Sequence, residues 1–235
     1  MSPQLIVALD FNSEHDALSL VEKLNPKDCG LKVGSELFTL FGTQFVKQLI
    51  ERRFKVFLDL KFHDIPNTVA NACKAGADLG VWMMNVHASG GMNMMHTARQ
   101  ALESYGANRP ILIAVTVLTS FSETELASIG INEPIIEHVK KLALLAKESG
   151  LDGVVSSAHE VQTIKDQCGS QFITVTPGIR LANDAKNDQT RIMTPREAIA
   201  AGSDYLVVGR PITQSDNPEK VVSEILKGIC PGTSS

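Results

Sequence analysis

One rhythm constrains this chain more than anything else: short apolar runs recur along it, separated by longer amphipathic stretches. The runs are Leu5 to Asp10, Gly30 to Gly34, Lys55 to Lys61, Val81 to Ala88, Ile111 to Leu118, Asp152 to Ser157, Gln171 to Gly178 and Asp204 to Arg210. They are near-continuous rather than alternating, which predicts strands buried on both faces in a parallel sheet. Helical patterns fill the gaps: Ser13 as N-cap of a helix to about Asn25, then Pro66 to Leu79 and Gly91 to Ser104. Further on come Pro134 to Glu148, Ala158 to Gln167, Pro195 to Ala201 and Pro218 to Leu226. In GADLG, ESGLDG and AGSDY a glycine closes a helix just before a strand. Eight strands, each followed by a helix, in 235 residues fit an α/β fold of one domain, residues 1–235: a closed (β/α)8 barrel rather than a doubly wound open sheet.

Composition narrows the function. A net charge of −4 argues against a nucleic-acid partner, which usually meets a basic face, while a local basic cluster still suits a small anion. Cys29, Cys73, Cys168 and Cys230 are scattered without CxxC spacing or a His at ligand distance, and read as reduced thiols. The N-terminus lacks a signal-peptide pattern and no apolar run exceeds strand length, so the expectation is a cytoplasmic protein with no membrane partner.

Chemistry on such a barrel sits at the C-terminal strand ends. Those ends carry Asp10, Lys32, Asp59 with Lys61, His87, Thr119, the pair Pro177-Gly178, and the pair Gly209-Arg210. Asp59 and Lys61 lie two apart on one strand, so regular alternation sends both side chains to the same face. Any single one of these charges fits a structural ion pair about as well as a site. Asp, Lys, Asp and Lys converging from three adjacent strands favour function, because burying them to no purpose is costly. His87 reads as a packed strand-end residue, and Met92, Met94 and Met95 as helix packing. The polar stretch within residues 176–193 has little helical pattern and is long for a compact domain, as a lid is. Residues 228–235 read as a loose tail.

The segment Asp59 to Thr68, DLKFHDIPNT, resembles the signature of orotidine 5'-monophosphate decarboxylases, Asp-x-Lys-x-x-Asp-Ile-Pro-x-Thr, at every fixed position. The family's other landmarks follow in order: ALD at Ala8 to Asp10, LKVG at Leu31 to Gly34, TVLTS at Thr116 to Ser120, VTPGIR at Val175 to Arg180, Asp188-Gln189, and VVGRPIT at Val207 to Thr213. The likeness covers essentially the whole chain and is greatest to the bacterial branch.

The resemblance implies a cofactor-free and metal-free conversion of OMP to UMP and CO2 by a homodimer with shared active sites. It implies a tetrad of Lys32, Asp59 and Lys61 with Asp64 from the other subunit, and a C6 carbanion stabilised and protonated by Lys61. Lys32 and Asp10 would hold the ribose, joined by Asp64 and Thr68 across the dimer, and Thr119 would meet the pyrimidine edge. Gly209 and Arg210 would take the phosphate, with Arg180 and Gln189 closing on it from the lid. Two rival readings stand beside this one. The first is a Mg2+-dependent phosphosugar decarboxylase or aldolase on the same scaffold, whose relatives carry an acidic residue where this chain has Lys32. The second is a barrel that binds phosphorylated ligands or a protein without turnover.

Overall fold

The structure is a computed structural model and describes residues 4–180 and 193–229. Its strands are β1 (Leu5–Leu9), β2 (Gly30–Gly34), β3 (Val56–Phe62), β4 (Met83–His87), β5 (Ile111–Val115), β6 (Gly153–Val155), β7 (Ile173–Thr176) and β8 (Tyr205–Val208). They pair in parallel in chain order, and β8 returns to β1 to close the barrel. The strands end earlier than the apolar runs do: β5 stops at Val115 and β7 at Thr176, so Thr119 and the pair Pro177-Gly178 belong to the loops beyond.

The layering follows from alternation within each strand. Ile6, Ala8, Phe57, Met83, Ile113, Val175 and Val207 form a cluster of strand residues only, which is the barrel interior. The alternate residues, among them Leu5, Val7, Leu9, Leu31 and Leu58, join a larger cluster with helical residues such as Leu49, Val69 and Leu142. Each strand is therefore apolar on both faces, and that is why its sequence alternates so little. Trp82 and Tyr205 meet edge to face, ring centroids 5.3 Å apart, and pack against the interior cluster. Gly153 has no room for a side chain, since an added Cβ would stand 2.1 Å from the carbonyl oxygen of Ile173 on the neighbouring strand.

The helices are set by their ends. In α1 (Glu14–Val21) the Ser13 hydroxyl accepts the Asp16 N–H at 3.3 Å, as expected, but the helix stops four residues short of Asn25. Next come α2 (Ser35–Glu51), α3 (Pro66–Leu79), α4 (Gly91–Ala101) and α5 (Glu123–Ser128), the last held by a Ser122/Glu125 capping box. Then follow α6 (Ile135–Glu148), α7 (Val161–Cys168), α8 (Pro195–Ala200), α9 (Arg210–Thr213) and α10 (Pro218–Ile229). Gly228, expected in a loose tail, is the penultimate residue of α10. Residues 230–235 of that tail, and residues 181–192 of the expected lid, lie outside the described residues. On α4 Met94 and Met95 are buried, but the helical period turns Met92 outward, 46% exposed, so only part of that methionine cluster packs.

Two ionic clamps bind neighbouring strands at their N-terminal ends. Asp152, just before β6, takes both Arg109 guanidinium nitrogens at 2.6 Å and the backbone N–H of Leu112 on β5 at 2.8 Å. Asp204, just before β8, does the same with Lys165 at 2.6 Å and the Thr174 N–H of β7 at 2.7 Å. Stability is thus built at this end, away from the polar residues at the other.

Candidate active site

At the C-terminal mouth β3 departs from regular pairing. Leu58 faces Met84 and Phe62 faces Val86, so four steps along β3 are matched by two along β4. Asp59, Leu60 and Lys61 consequently stand opposite Asn85 alone, a bulge that bends the strand and re-aims its side chains. Lys61 has φ +52°, in the left-handed region that a residue with a Cβ seldom occupies. Regular alternation, the basis for expecting Asp59 and Lys61 on one face, is therefore not what joins them. The bulge does so, with Lys61 Nζ 2.8 Å from Asp59 Oδ1.

From that pair the charges continue in alternation. The second oxygen of Asp59 lies 3.4 Å from Lys32 Nζ, and Lys32 reaches Asp10 Oδ1 at 3.1 Å. Asp10 stands open to solvent at the mouth, whereas the side chains of Lys32 and Asp59 are only 12% exposed. Each buried charge has an opposite neighbour, which offsets much of the cost of taking it out of water. The room for Lys32 comes from Gly34, where an added Cβ would stand 3.2 Å from the ammonium.

Asn85 ties the array to the next strand. It is fully buried, its Nδ2 donates to Asp59 Oδ1 at 2.7 Å, and its Oδ1 accepts the Lys61 backbone N–H at 2.8 Å. Sequence reasoning passed over Asn85 and gave Gly34 no role. The signal for Asn85 was present: it is an uncharged polar residue inside the apolar run Val81 to Ala88. Close by, the rings of His63 and His87 lie 5.4 Å apart. Burial holds the His87 imidazole below its ordinary pKa, His63 and Lys61 reinforce the shift, and Asp59 opposes it. His87 stands at the end of β4, half-buried, as the sequence reading had it.

The array borders a cavity of about 180 Å3. Lys32, Asp59 and Lys61 charge one side of it, and Val115, Val155, Val175 and Val207 from β5 to β8 line the other. Thr119 lies on its wall. Gly209 precedes α9 beside Asp10, its virtual Cβ 3.7 Å from Asp10 Oδ2, and Arg210 is the first residue of that helix. Arg180 is buried, with its guanidinium donating to the Ile179 carbonyl at 3.1 Å. Gln189 lies outside the described residues. Asp64 and Thr68 are exposed and stand apart from the array: the Asp64 carboxylate accepts the Ile65 N–H at 2.6 Å, and Thr68 lies in the first turn of α3. Among the described residues, no group of three His, Cys, Asp or Glu side chains is arranged to hold a metal ion.

Fold and site together define a class: a (β/α)8-barrel enzyme with alternating ammonium and carboxylate groups over an apolar-walled cavity at its C-terminal mouth. Residues 3–225 match the profile of the orotidine 5'-phosphate decarboxylase / HUMPS family, and the chain belongs to that family. A Legionella pneumophila (strain Corby) protein named orotidine 5'-phosphate decarboxylase is 66% identical over 229 residues, 97% of this chain and all of that one. One of the same name from Aliivibrio fischeri (strain MJ11) is 59% identical over 222 residues, 94% of this chain and 95% of its own. The crystal structure of orotidine 5'-phosphate decarboxylase from Lactobacillus acidophilus superposes with a TM-score of 0.87 at 41% identity, covering 97% of this chain and 99% of that one.

Proposed function

We propose that the protein decarboxylates OMP to UMP in pyrimidine biosynthesis, without metal or organic cofactor, as a cytoplasmic homodimer. The observation that carries this reading is the ionic chain Asp10–Lys32–Asp59–Lys61 along one side of the cavity. Breaking the bond from C6 to the carboxylate leaves an electron pair in the plane of the pyrimidine, where the ring π-system cannot accept it. A fixed cation beside C6 is then the available stabiliser, effective because its charge is already oriented. Lys61 supplies that cation, transfers one proton from Nζ to C6, and recovers a proton from solvent. Asp59 lies beside the departing carboxylate and keeps Lys61 aimed. Lys32 and Asp10 hold the ribose hydroxyls, and Thr119 meets the ring edge.

Gly209, Arg210, Arg180 and Gln189 take the phosphate, remote from the reacting bond. Energy gained there is used to close the site. Asp64 and Thr68, exposed and apart from the array in the single chain, are contributed to a second subunit's site across a two-fold axis. The family also includes phosphosugar enzymes, but an ammonium at position 32 disfavours their metal-held enediolate.

The direct test follows the loss of OMP absorbance with purified protein after exhaustive chelation. Sustained turnover is expected. Activity lost to EDTA and restored by Mg2+ would transfer the assignment to the phosphosugar reading.

A further inference from the structure

We propose that Asn85 is a positioning residue for this reaction: its carboxamide holds the strained Lys61 backbone and the Asp59 carboxylate in register. The inference rests on the decarboxylase reading above and adds a residue to it. Three β3 residues opposite one β4 residue leave ladder groups without strand partners, and a buried N–H must find an acceptor elsewhere. The Lys61 N–H finds the Asn85 carbonyl oxygen at 2.8 Å. That contact stabilises a backbone with φ +52°, which a residue with a Cβ adopts at a cost.

The other end of the same side chain donates to Asp59 Oδ1 at 2.7 Å, the oxygen that also receives Lys61 Nζ at 2.8 Å. The two bonds fix the orientation of the amide. A backbone N–H can only donate and a carboxylate can only accept, so the carboxamide oxygen must face Lys61 and the nitrogen Asp59. Asn85 thus sets both the start of the lysine side chain and the anion that aims its tip. It is fully buried, so water does not take over either bond. A carboxamide offers a donor and an acceptor side by side, whereas an ionised aspartate offers only acceptors and leucine neither.

The ionisable groups facing Asn85 are Asp59 and Lys61 on β3, with Lys32 behind them, and His87 two residues along β4 with His63 against it. From β5, Ile113 and Val115 are apolar.

The test compares wild type, Asn85→Ala and Asn85→Asp across pH, with OMP as substrate and UMP as the binding probe. Asn85→Ala should lower kcat by roughly 100-fold, the scale of an ångström-sized misplacement. Its affinity for UMP should change far less, because UMP has no departing carboxylate. Asn85→Asp keeps size and shape but donates to Asp59 only when protonated. Its activity relative to wild type should fall as pH rises, about tenfold per unit beyond the shared ionisation of the pair. The ratio removes the pH dependence that the two proteins share.

Unfolding monitored by circular dichroism separates positioning from folding. If kcat per folded molecule equals wild type in both variants, Asn85 is structural only and the proposal fails. A ratio for Asn85→Asp that is flat with pH overturns it as well. Wild-type protein inactive toward OMP would overturn the function assigned above and this inference with it, whereas active wild type with unaffected variants overturns this inference alone.

Discussion

Lys61 carries two demands at once: a left-handed backbone that costs on the order of 1–3 kcal/mol, and an ammonium that must meet Asp59. Strain of that size persists because a bulge, a buried amide and an ion pair all hold it. Replacing Lys61 with alanine should reduce OMP turnover by roughly 10²–10⁴-fold or more, the range in which positioned proton donors act. Steady-state assays at saturating OMP check this, and turnover within tenfold of wild type would remove Lys61 as the proton donor. The cysteines lead to the opposite expectation. Burial pushes the Cys29 and Cys73 thiols up to about 12, with Asp28 adding to the shift at Cys29. Reactivity requires the thiolate. At pH 8 iodoacetamide should leave both unmodified in the folded protein and label both in urea, as peptide mass mapping would show; prompt native labelling would contradict the burial.

Two acidic residues at the starts of strands act as fasteners, and the clamp around Asp152 is the stronger because it binds Arg109 through both nitrogens. Asp152→Ala leaves the Leu112 N–H without its carboxylate acceptor and Arg109 with only the Pro110 carbonyl, both in partly buried positions, a loss of about 2–3 kcal/mol. In a chain of this size that lowers Tm by roughly 4–12 °C, while kcat should hold, since the clamp is remote from the mouth. Calorimetry alongside an activity assay distinguishes this from a change at the site. Much at this scale was legible in the sequence. Helix α3 runs from Pro66 to Leu79 as its proline and flanking glycine required, and β2 keeps the bounds of GLKVG. Strand ends were less so: the apolar run through Leu118 continues beyond the ladder because Val117 packs in the core from a loop. The β3 bulge was illegible because the residues that form it also satisfy simple alternation, and only the register with β4 reveals the extra residues. Asp10, Lys32, Asp59 and Lys61 were readable as a group because charges at strand ends are conspicuous. Asn85 was marked only as a polar residue inside an apolar run, and its role is set by the partners that the fold brings to it.

At the scale of the whole molecule, the proposed sharing of Asp64 between subunits makes a prediction that needs no further structure. Lys61→Ala and Asp64→Ala homodimers should both be nearly inactive. When subunits exchange, both defects fall in one site of the mixed dimer and the other site is intact. Activity per mixed dimer should then approach about half of wild type if the sites act independently. Verified exchange with no recovery would return Asp64 to its own subunit. The lining of the cavity has a different consequence. Its charged groups come from β2 and β3, and its apolar wall from Val115, Val155, Val175 and Val207 on the later strands. A descendant gene can therefore rewrite one arc of the circle and inherit the other unaltered. Trimming one of these valines would widen the apolar arc and leave the order of charges as it was, so under the proposed function the fit of the ring and the chemistry at Lys61 could change independently.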